Sequence, residues 1–181
     1  MEWIPRRLGP GLLAALILLV LATALVGFGW RRCLAPTTVF IVRHADRAGH
    51  DDALTPAGEL RAAALAHVFA KQKLAAIYHS DTRRTRDTAA PLAQVLGLVP
   101  RERPARAVDA LVGEVLAEHR GERTLVVAHG NTSVQIIQAA GGPSLPNLAE
   151  DEFDDLFVLE ICGCFGSRVN LMQLQYGVPS P

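Results

Sequence analysis

The chain has 181 residues, enough for one domain of ordinary size and an additional segment. The chain has 18 basic and 18 acidic residues, of which four basic residues and one acidic residue lie in residues 1–35. Residues 36–181 therefore hold 14 basic and 17 acidic residues and have a formal net charge of −3. A mildly acidic domain lacks the basic surface of a nucleic-acid-binding protein, so we expect no nucleic-acid partner.

The amino-terminal segment is strongly apolar. Residues 8–30 contain no charged residue, and a helix of that length extends about 35 Å, more than the ~30 Å of a bilayer's hydrocarbon core. We therefore expect a membrane-anchoring helix over residues 8–30, within an anchor and linker of residues 1–35. Arg6-Arg7 before an apolar run that ends in Ala22-Thr23-Ala24 also fits a cleaved secretory signal, which stays an alternative. Because basic pairs flank both ends of the run, charge hardly decides its orientation, and we expect a domain outside the cytoplasm by analogy with other amino-terminal anchors.

Residues 36–181 alternate strand-like and helix-like patterns. Helices are predicted where caps and apolar faces coincide, namely over Pro56 to about Phe69, Arg83 or Arg84 to Leu96, Val108 to Arg120, and Thr132 to Ala140. Strands are predicted over 39–42, 74–78, 124–128, 157–161 and 169–174, the last two as a hairpin or adjacent edge strands. This order predicts an α/β protein, a three-layer α/β/α sandwich with a mainly parallel sheet, preceded by the amino-terminal membrane helix.

Cationic and imidazole side chains follow three of these strands. The first strand leads into Arg43-His44, the second into His79-Ser80 and the arginines beyond, and the third into His129-Gly130. In open parallel sheets the ligand crevice lies outside the carboxyl ends of the strands. We therefore expect these separate segments to meet at one pocket.

The residue types in that pocket suit the transfer of a phosphoryl group. A neutral imidazole at His44 is a nucleophile near pH 7, and the guanidinium groups of Arg43 and Arg84 match phosphate oxygens in charge and shape. His129 is a further donor when protonated, and the backbone N–H groups of Gly130 and Asn131 lie beside a predicted helix start, where anions bind.

Four short motifs resemble those of one family. Residues 42–46 (Val-Arg-His-Ala-Asp), 80–89 and 127–132 are similar to the first, second and third motifs of the histidine phosphatase superfamily, with its phosphoglycerate mutase-like fold, and residues 54–58 are similar to the segment that usually follows the first motif. Ala45, where glycine is commonest, is seen in short members that resemble phosphohistidine phosphatases. The resemblance implies a phosphohistidine on His44, a phosphoryl group held by Arg43, Arg84 and His129, and no need for a metal or cofactor.

Several choices stay open. The family's proton donor has no clear match, and Asp109 and Glu102 are both candidates; Arg47 is expected either to bind phosphate or to pair with Asp46. The main hypothesis is a phosphatase acting on a small phosphorylated substrate or a phosphoprotein. The alternatives are a mutase, a phosphate-binding module without turnover, and a metal-dependent hydrolase. Cys162 and Cys164 fit a plain turn better than a zinc site, and no role is predicted for Cys33.

Overall fold

The computed structural model describes residues 35–163 and 168–180, together with residues 11, 14–23 and 27. Residues 14–23 are helical and exposed. Within these described ranges, no helix has both the length and the apolar character needed to cross a bilayer. The anchor predicted over residues 8–30 lies partly outside the described residues, as do Cys33 and Cys164. A membrane-spanning helix therefore gains no support from the structure, and the boundary at residue 35 stays a prediction.

Six strands form one mixed sheet in the order β3-β2-β4-β1-β5-β6. They are β1 (Thr37–Arg43), β2 (Ala76–Ser80), β3 (Arg101–Arg103), β4 (Arg123–Ala128), β5 (Asp155–Cys162) and β6 (Arg168–Gln175). β3, β2, β4 and β1 pair in parallel, whereas β5 pairs antiparallel with both β1 and β6. The expected pairing of the last two strands is confirmed, and the short β3 was not predicted. Cys162, at the end of β5, has no disulfide partner among the described residues.

Four helices cover the two faces of the sheet: α1 (Pro56–Phe69), α2 (Arg83–Leu96), α3 (Val108–Glu118) and α4 (Gly130–Ala139). α1 and α2 share one apolar core with the sheet, and α3 and α4 share the other, which gives the predicted three layers. The third helix ends at Glu118 and not at Arg120. The fourth begins at Gly130 and not at Thr132, because His129 is its N-cap.

Alternate residues of each central strand supply the two cores. In β1, Val39 and Ile41 face α3 and α4, whereas Val42 faces α1 and α2. Both faces are covered, so nearly every β1 side chain is buried and the strand sequence is almost continuously apolar. The residue after the strand is thereby fixed at the sheet's carboxyl edge.

The start of α1 is fastened to the segment that follows β1. Thr55 caps the helix, its Oγ1 accepting a hydrogen bond from the N–H of Gly58 at 3.1 Å. A Cβ at Gly58 would lie 2.3 Å from the carbonyl oxygen of Asp46, so only glycine allows this approach. The helix thus supports the backbone two residues beyond His44.

Arg61 of α1 joins that same segment to the carboxyl-terminal tail. Its Nε lies 2.6 Å from Asp46 Oδ2, and its Nη2 lies 3.2 Å from Asp46 Oδ1. Its Nη1 donates to the carbonyl oxygens of Tyr176, at 3.3 Å, and Val178, at 2.8 Å. Asp46 therefore pairs with Arg61, and the alternative in which it pairs with Arg47 is wrong.

Candidate functional site

A cavity of about 650 Å³ opens at the carboxyl ends of β1 and β4, beside the start of α2. Seven residues singled out in the sequence line it: Arg43, His44, Arg47, Arg84, His129, Gly130 and Asn131. The segments that carry them are far apart along the chain, and the parallel sheet brings them to one edge. The structure therefore assembles the pocket inferred from the motifs, while the roles of its residues stay predictions.

The imidazole of His44 is neutral and has a defined tautomer. Its side chain is buried, and its Nδ1 lies 2.9 Å from the carbonyl oxygen of Ala45. A carbonyl oxygen only accepts, so Nδ1 carries the proton and the lone pair is on Nε2. Burial lowers the pKa of His44 to about 3, an effect that the Ala45 carbonyl opposes and the charge of Arg43 strengthens.

His129 is the second imidazole of the cavity. Its ring centroid lies 5.4 Å from that of His44, and its Nε2 lies 2.8 Å from Ser80 Oγ. Its Nδ1 lies 3.3 Å from Arg84 Nη2. Burial, followed by the positive charge of Arg84, lowers the pKa of His129 to about 4, so both rings are neutral at pH 7.

Three arginines give the cavity its positive charge. The Nε atoms of Arg43, Arg47 and Arg84 are buried and have no hydrogen-bond partner within the described part of the chain. Buried donors without partners are rare in proteins, so three around one cavity favour an anionic ligand there. Arg84 is further held by Asp52, whose Oδ1 lies 2.7 Å from Arg84 Nη1.

Arg43 also holds the loop of residues 141–154. Its Nη1 donates to the carbonyl oxygens of Ala149 and of Glu152, the latter at 2.9 Å. Its guanidinium lies over the ring of Phe153, 4.4 Å from the centroid, and that ring lies 5.9 Å from the ring of His44. Burial lowers the pKa of Arg43 from its ordinary value.

The acids proposed as proton donors lie elsewhere. Asp109, at the start of α3, lines an adjoining polar recess, and Glu102, in β3, is exposed; neither lines the main cavity. Among the described residues the only carboxylate lining it is that of Glu150, whose Oε2 lies 3.6 Å from Arg47 Nη2 and 4.0 Å from Arg43 Nη2. The structure does not bring Asp109 or Glu102 to the reacting groups.

Three supporting residues were missed in the sequence: Ser80, Asp52 and Phe153. Ser80 lies within the second motif, but the sequence does not show that its hydroxyl contacts Nε2 of His129. Asp52 belongs to an acidic loop and Phe153 to an acidic run, and neither has a local signature. Only the tertiary structure shows that they support His129, Arg84 and Arg43.

Comparison with known proteins supports the family suggested by the motifs. The model of the histidine phosphatase superfamily (branch 1) matches residues 39–107, which include the first two motifs. No curated protein sequence matches the chain.

Solved structures share the fold. A mycobacterial glucosyl-3-phosphoglycerate phosphatase is 19% identical, with a TM-score of 0.62, covering 78% of this chain and 100% of its own. The protein histidine phosphatase SixA, in complex with tungstate, is 18% identical, with a TM-score of 0.56, covering 76% and 96%. A phosphoglycerate mutase from Plasmodium falciparum is 17% identical, with a TM-score of 0.53, covering 80% and 95%.

These likenesses establish the phosphoglycerate mutase-like fold, and the motifs carried by that fold lie around one cavity. The family model, which matches residues 39–107, together with the fold and the order of the motifs, makes the chain similar to the histidine phosphatase superfamily.

Proposed function

We propose that the protein is a phosphatase that hydrolyses a phosphomonoester or phosphoramidate through a phosphohistidine on His44, without a metal ion. The observation that carries the proposal is the protonation state of His44. Because Nδ1 donates to the Ala45 carbonyl, the lone pair lies on Nε2. The cavity is lined by three arginines whose buried Nε groups have no hydrogen-bond partner among the residues that the structure describes.

The reaction has two steps. The Nε2 lone pair of His44 attacks phosphorus, a P–N bond forms, and the leaving group departs with its bonding electron pair and takes up a proton from solvent. Water then attacks phosphorus and loses a proton to solvent, the P–N electron pair returns to Nε2, and inorganic phosphate is released. Arg43, Arg84 and His129 bind the oxygens on which negative charge is spread in both steps.

The leaving group is expected to be one that needs little protonation. Neither Asp109 nor Glu102 lines the cavity, and Glu150 lies close to two arginines. A leaving group of low pKa depends least on a general acid. Phosphoramidates and activated phosphoesters are therefore expected to react faster than simple alkyl phosphates. The names of two similar structures, a phosphatase for a sugar-linked phosphoglycerate and a protein histidine phosphatase, indicate the range to screen.

The test is hydrolysis of phosphoramidate and p-nitrophenyl phosphate by the full-length chain, with and without a chelator. The wild type is expected to release phosphate in both conditions and to form an acid-labile phosphoprotein; His44→Ala is expected to do neither. The matched control is His67→Ala, which removes an exposed imidazole from α1 and should leave the rate unchanged. Full activity in His44→Ala contradicts the mechanism. Loss of activity on chelation favours a metal-dependent hydrolase, and anion binding without turnover favours a phosphate-binding module.

We further propose that residues 8–30 hold the domain at a membrane, outside the cytoplasm. The support comes from the sequence, in which the stretch from Leu8 to Trp30 contains no charged residue. A reporter enzyme fused after Pro181 should fractionate with membranes and be active only outside the cytoplasm. Reporter activity confined to the cytoplasm contradicts the orientation, and recovery of the intact fusion in the soluble fraction contradicts the anchor.

A further inference from the structure

The hydroxyl groups behind His129 have defined hydrogen-bond directions. Thr85 Oγ1 lies 2.9 Å from each of the carbonyl oxygens of Ser80 and Thr82, which only accept, so the Thr85 hydroxyl donates to them. Ser80 Oγ lies 2.9 Å from Thr85 Oγ1, which is left to accept. The hydroxyl of Ser80 therefore donates either to Thr85 or to Thr82 Oγ1, which lies 3.3 Å away, and in both arrangements its oxygen accepts the N–H of His129 Nε2 at 2.8 Å.

The opposite side of the imidazole agrees with this assignment. A guanidinium donates and never accepts, so the contact of 3.3 Å between Arg84 Nη2 and His129 Nδ1 needs the lone pair on Nδ1. Two contacts on two elements, β2 and α2, thus independently select the tautomer with its proton on Nε2. Ser80 and Thr85 are both buried, so water does not readily replace Ser80 as the acceptor.

We propose that Ser80 is a positioning residue that holds His129 in its Nε2–H tautomer, so that His129 binds a phosphoryl oxygen only after taking up a proton on Nδ1. The inference rests on the proposed function in one respect, that the cavity receives a phosphoryl group. Phosphoryl oxygens of a dianion accept hydrogen bonds, and a lone pair on Nδ1 would repel them. With Nε2–H held by Ser80, a proton added on Nδ1 gives the ring a donor toward the anion.

The charges around His129 set the sign of this coupling. The positive charges of Arg84 and Arg43 oppose protonation of the ring, whereas the negative charges of Asp81 and Asp52 favour it. The ring of His44, which is neutral, also faces it. A dianion against the ring adds two negative charges and raises its pKa from the value of about 4 in the free protein. One proton is therefore taken up at any pH between the free and the bound pKa, and the affinity for a dianion falls as pH rises through the bound pKa.

The first test counts that proton. Sulfate is the probe, because it is a dianion throughout the neutral range and gives or takes no proton itself. Its binding to the full-length chain is measured by calorimetry at pH 6 in buffers that differ in heat of ionisation. The wild type is expected to take up close to one proton per sulfate. His129→Gln, which does not titrate, is expected to take up none, and Ser80→Ala less than half, because the released ring can present Nδ1–H without being charged.

The second test observes the tautomer directly. Long-range ¹H–¹⁵N correlation spectra of the wild type, assigned by the signals lost in His129→Gln, should show a protonated Nε2 and an unprotonated Nδ1. Ser80→Ala should move the ring toward the Nδ1–H form. The matched control is Ser133→Ala, which removes a buried hydroxyl of α4 that has no hydrogen-bond partner within the described residues and should change neither measurement.

The outcomes separate this inference from the proposed function. Sulfate binding without proton uptake, equal uptake in Ser80→Ala and the wild type, or a wild-type ring with its proton on Nδ1 each overturns the inference while leaving hydrolysis by His44 intact. Absence of sulfate binding also overturns it. If Ser80→Ala does not fold, the wild-type spectrum decides alone. A missing phosphatase activity beside normal proton uptake overturns the proposed function and leaves the role of Ser80 standing.

Discussion

The two imidazoles of the cavity are neutral for the same physical reason and differ in which nitrogen is protonated. Both lie among cations and are removed from water, so the charged form is disfavoured and their pKa values fall. His44 donates from Nδ1 to a backbone carbonyl, whereas His129 donates from Nε2 to a serine. The lone pair is therefore on Nε2 in His44, where the proposed mechanism needs it to attack phosphorus, and on Nδ1 in His129, where it lies against Arg84.

The low pKa of His44 predicts a dependence of stability on pH. In the unfolded chain its pKa is close to 6.5, whereas in the fold it is about 3, so between these values the unfolded state binds more protons. The free energy of unfolding is therefore expected to fall as pH falls through this window, with His44 contributing at most about 1.4 kcal/mol per pH unit. Urea unfolding of the wild type and His44→Gln at pH 7, 6 and 5 measures the contribution.

The variant should lose less stability than the wild type on acidification. The control is His67→Gln, an exposed histidine of α1, for which the wild-type slope is expected. Parallel curves for the wild type and His44→Gln would contradict the burial argument.

At the scale of an element, the loop of residues 141–154 depends on Arg43 for its position. The side chain of Glu150 is 93% exposed and nevertheless lies 3.6 Å from Arg47 Nη2 and 4.0 Å from Arg43 Nη2. Arg43 also donates to the backbone carbonyl oxygens of Ala149 and Glu152 in this loop, and the same side chain lines the cavity. We expect the carboxylate of Glu150 to compete with any anion that enters the cavity, because it lies beside two of the arginines that line it.

Removal of that charge is therefore expected to strengthen anion binding. Glu150→Gln should lower the inhibition constant of inorganic phosphate by roughly two- to fivefold, and the gain should shrink as ionic strength rises and screens exposed charges. The matched control is Asp151→Asn, a neighbouring exposed acid that does not line the cavity. Weaker inhibition of Glu150→Gln by phosphate would show that Glu150 supports binding and does not compete with it.

The start of α1 provides a packing test. Gly58→Ala places a methyl group 2.3 Å from the backbone oxygen of Asp46, which a rigid carbonyl does not accommodate, so a loss of about 1–3 kcal/mol in the free energy of unfolding is expected. In the matched control, Gly113→Ala within α3, the new Cβ meets nothing within 4 Å and should stabilise the protein by about 0.5–1 kcal/mol. Urea unfolding compares the two, and a neutral Gly58→Ala would contradict the tight approach.

The same elements show how far sequence reasoning extends. The bounds of α1 and α2 were predictable because a Thr cap followed by proline and a closing glycine mark their ends. β3 was missed because three residues, Arg101, Glu102 and Arg103, have polar side chains and no period. The start of α4 was placed two residues late because a histidine N-cap is not among the preferred capping residues.

For the whole molecule, the meeting of distant motifs was predictable and their supporting contacts were not. Parallel strands deliver their following residues to one edge, and this rule alone brought Arg43, His44 and His129 together. The partners of Arg43 and Arg84 come from loops of no regular pattern, and neither acid predicted as proton donor lies at the cavity. Long-range loop geometry has no local signal in a single sequence.

The carboxyl-terminal tail makes the last residues of the chain part of this arrangement. Val178 accepts from Arg61, which also holds Asp46, and Ser180 Oγ accepts from the N–H of Phe153 at 2.8 Å. Phe153 lies against both Arg43 and His44.

Truncation of the chain after Gly177 would therefore remove contacts that support the surroundings of His44, although none of residues 178–180 lines the cavity. Both anchoring contacts would be lost, and the buried guanidinium of Arg61 would lose an acceptor at a cost of about 1–3 kcal/mol. The protein truncated after Gly177 should have a lower melting temperature and a lower catalytic rate than one truncated after Ser180. Equal catalytic rates would show that the contacts of Val178 and Ser180 are dispensable for activity.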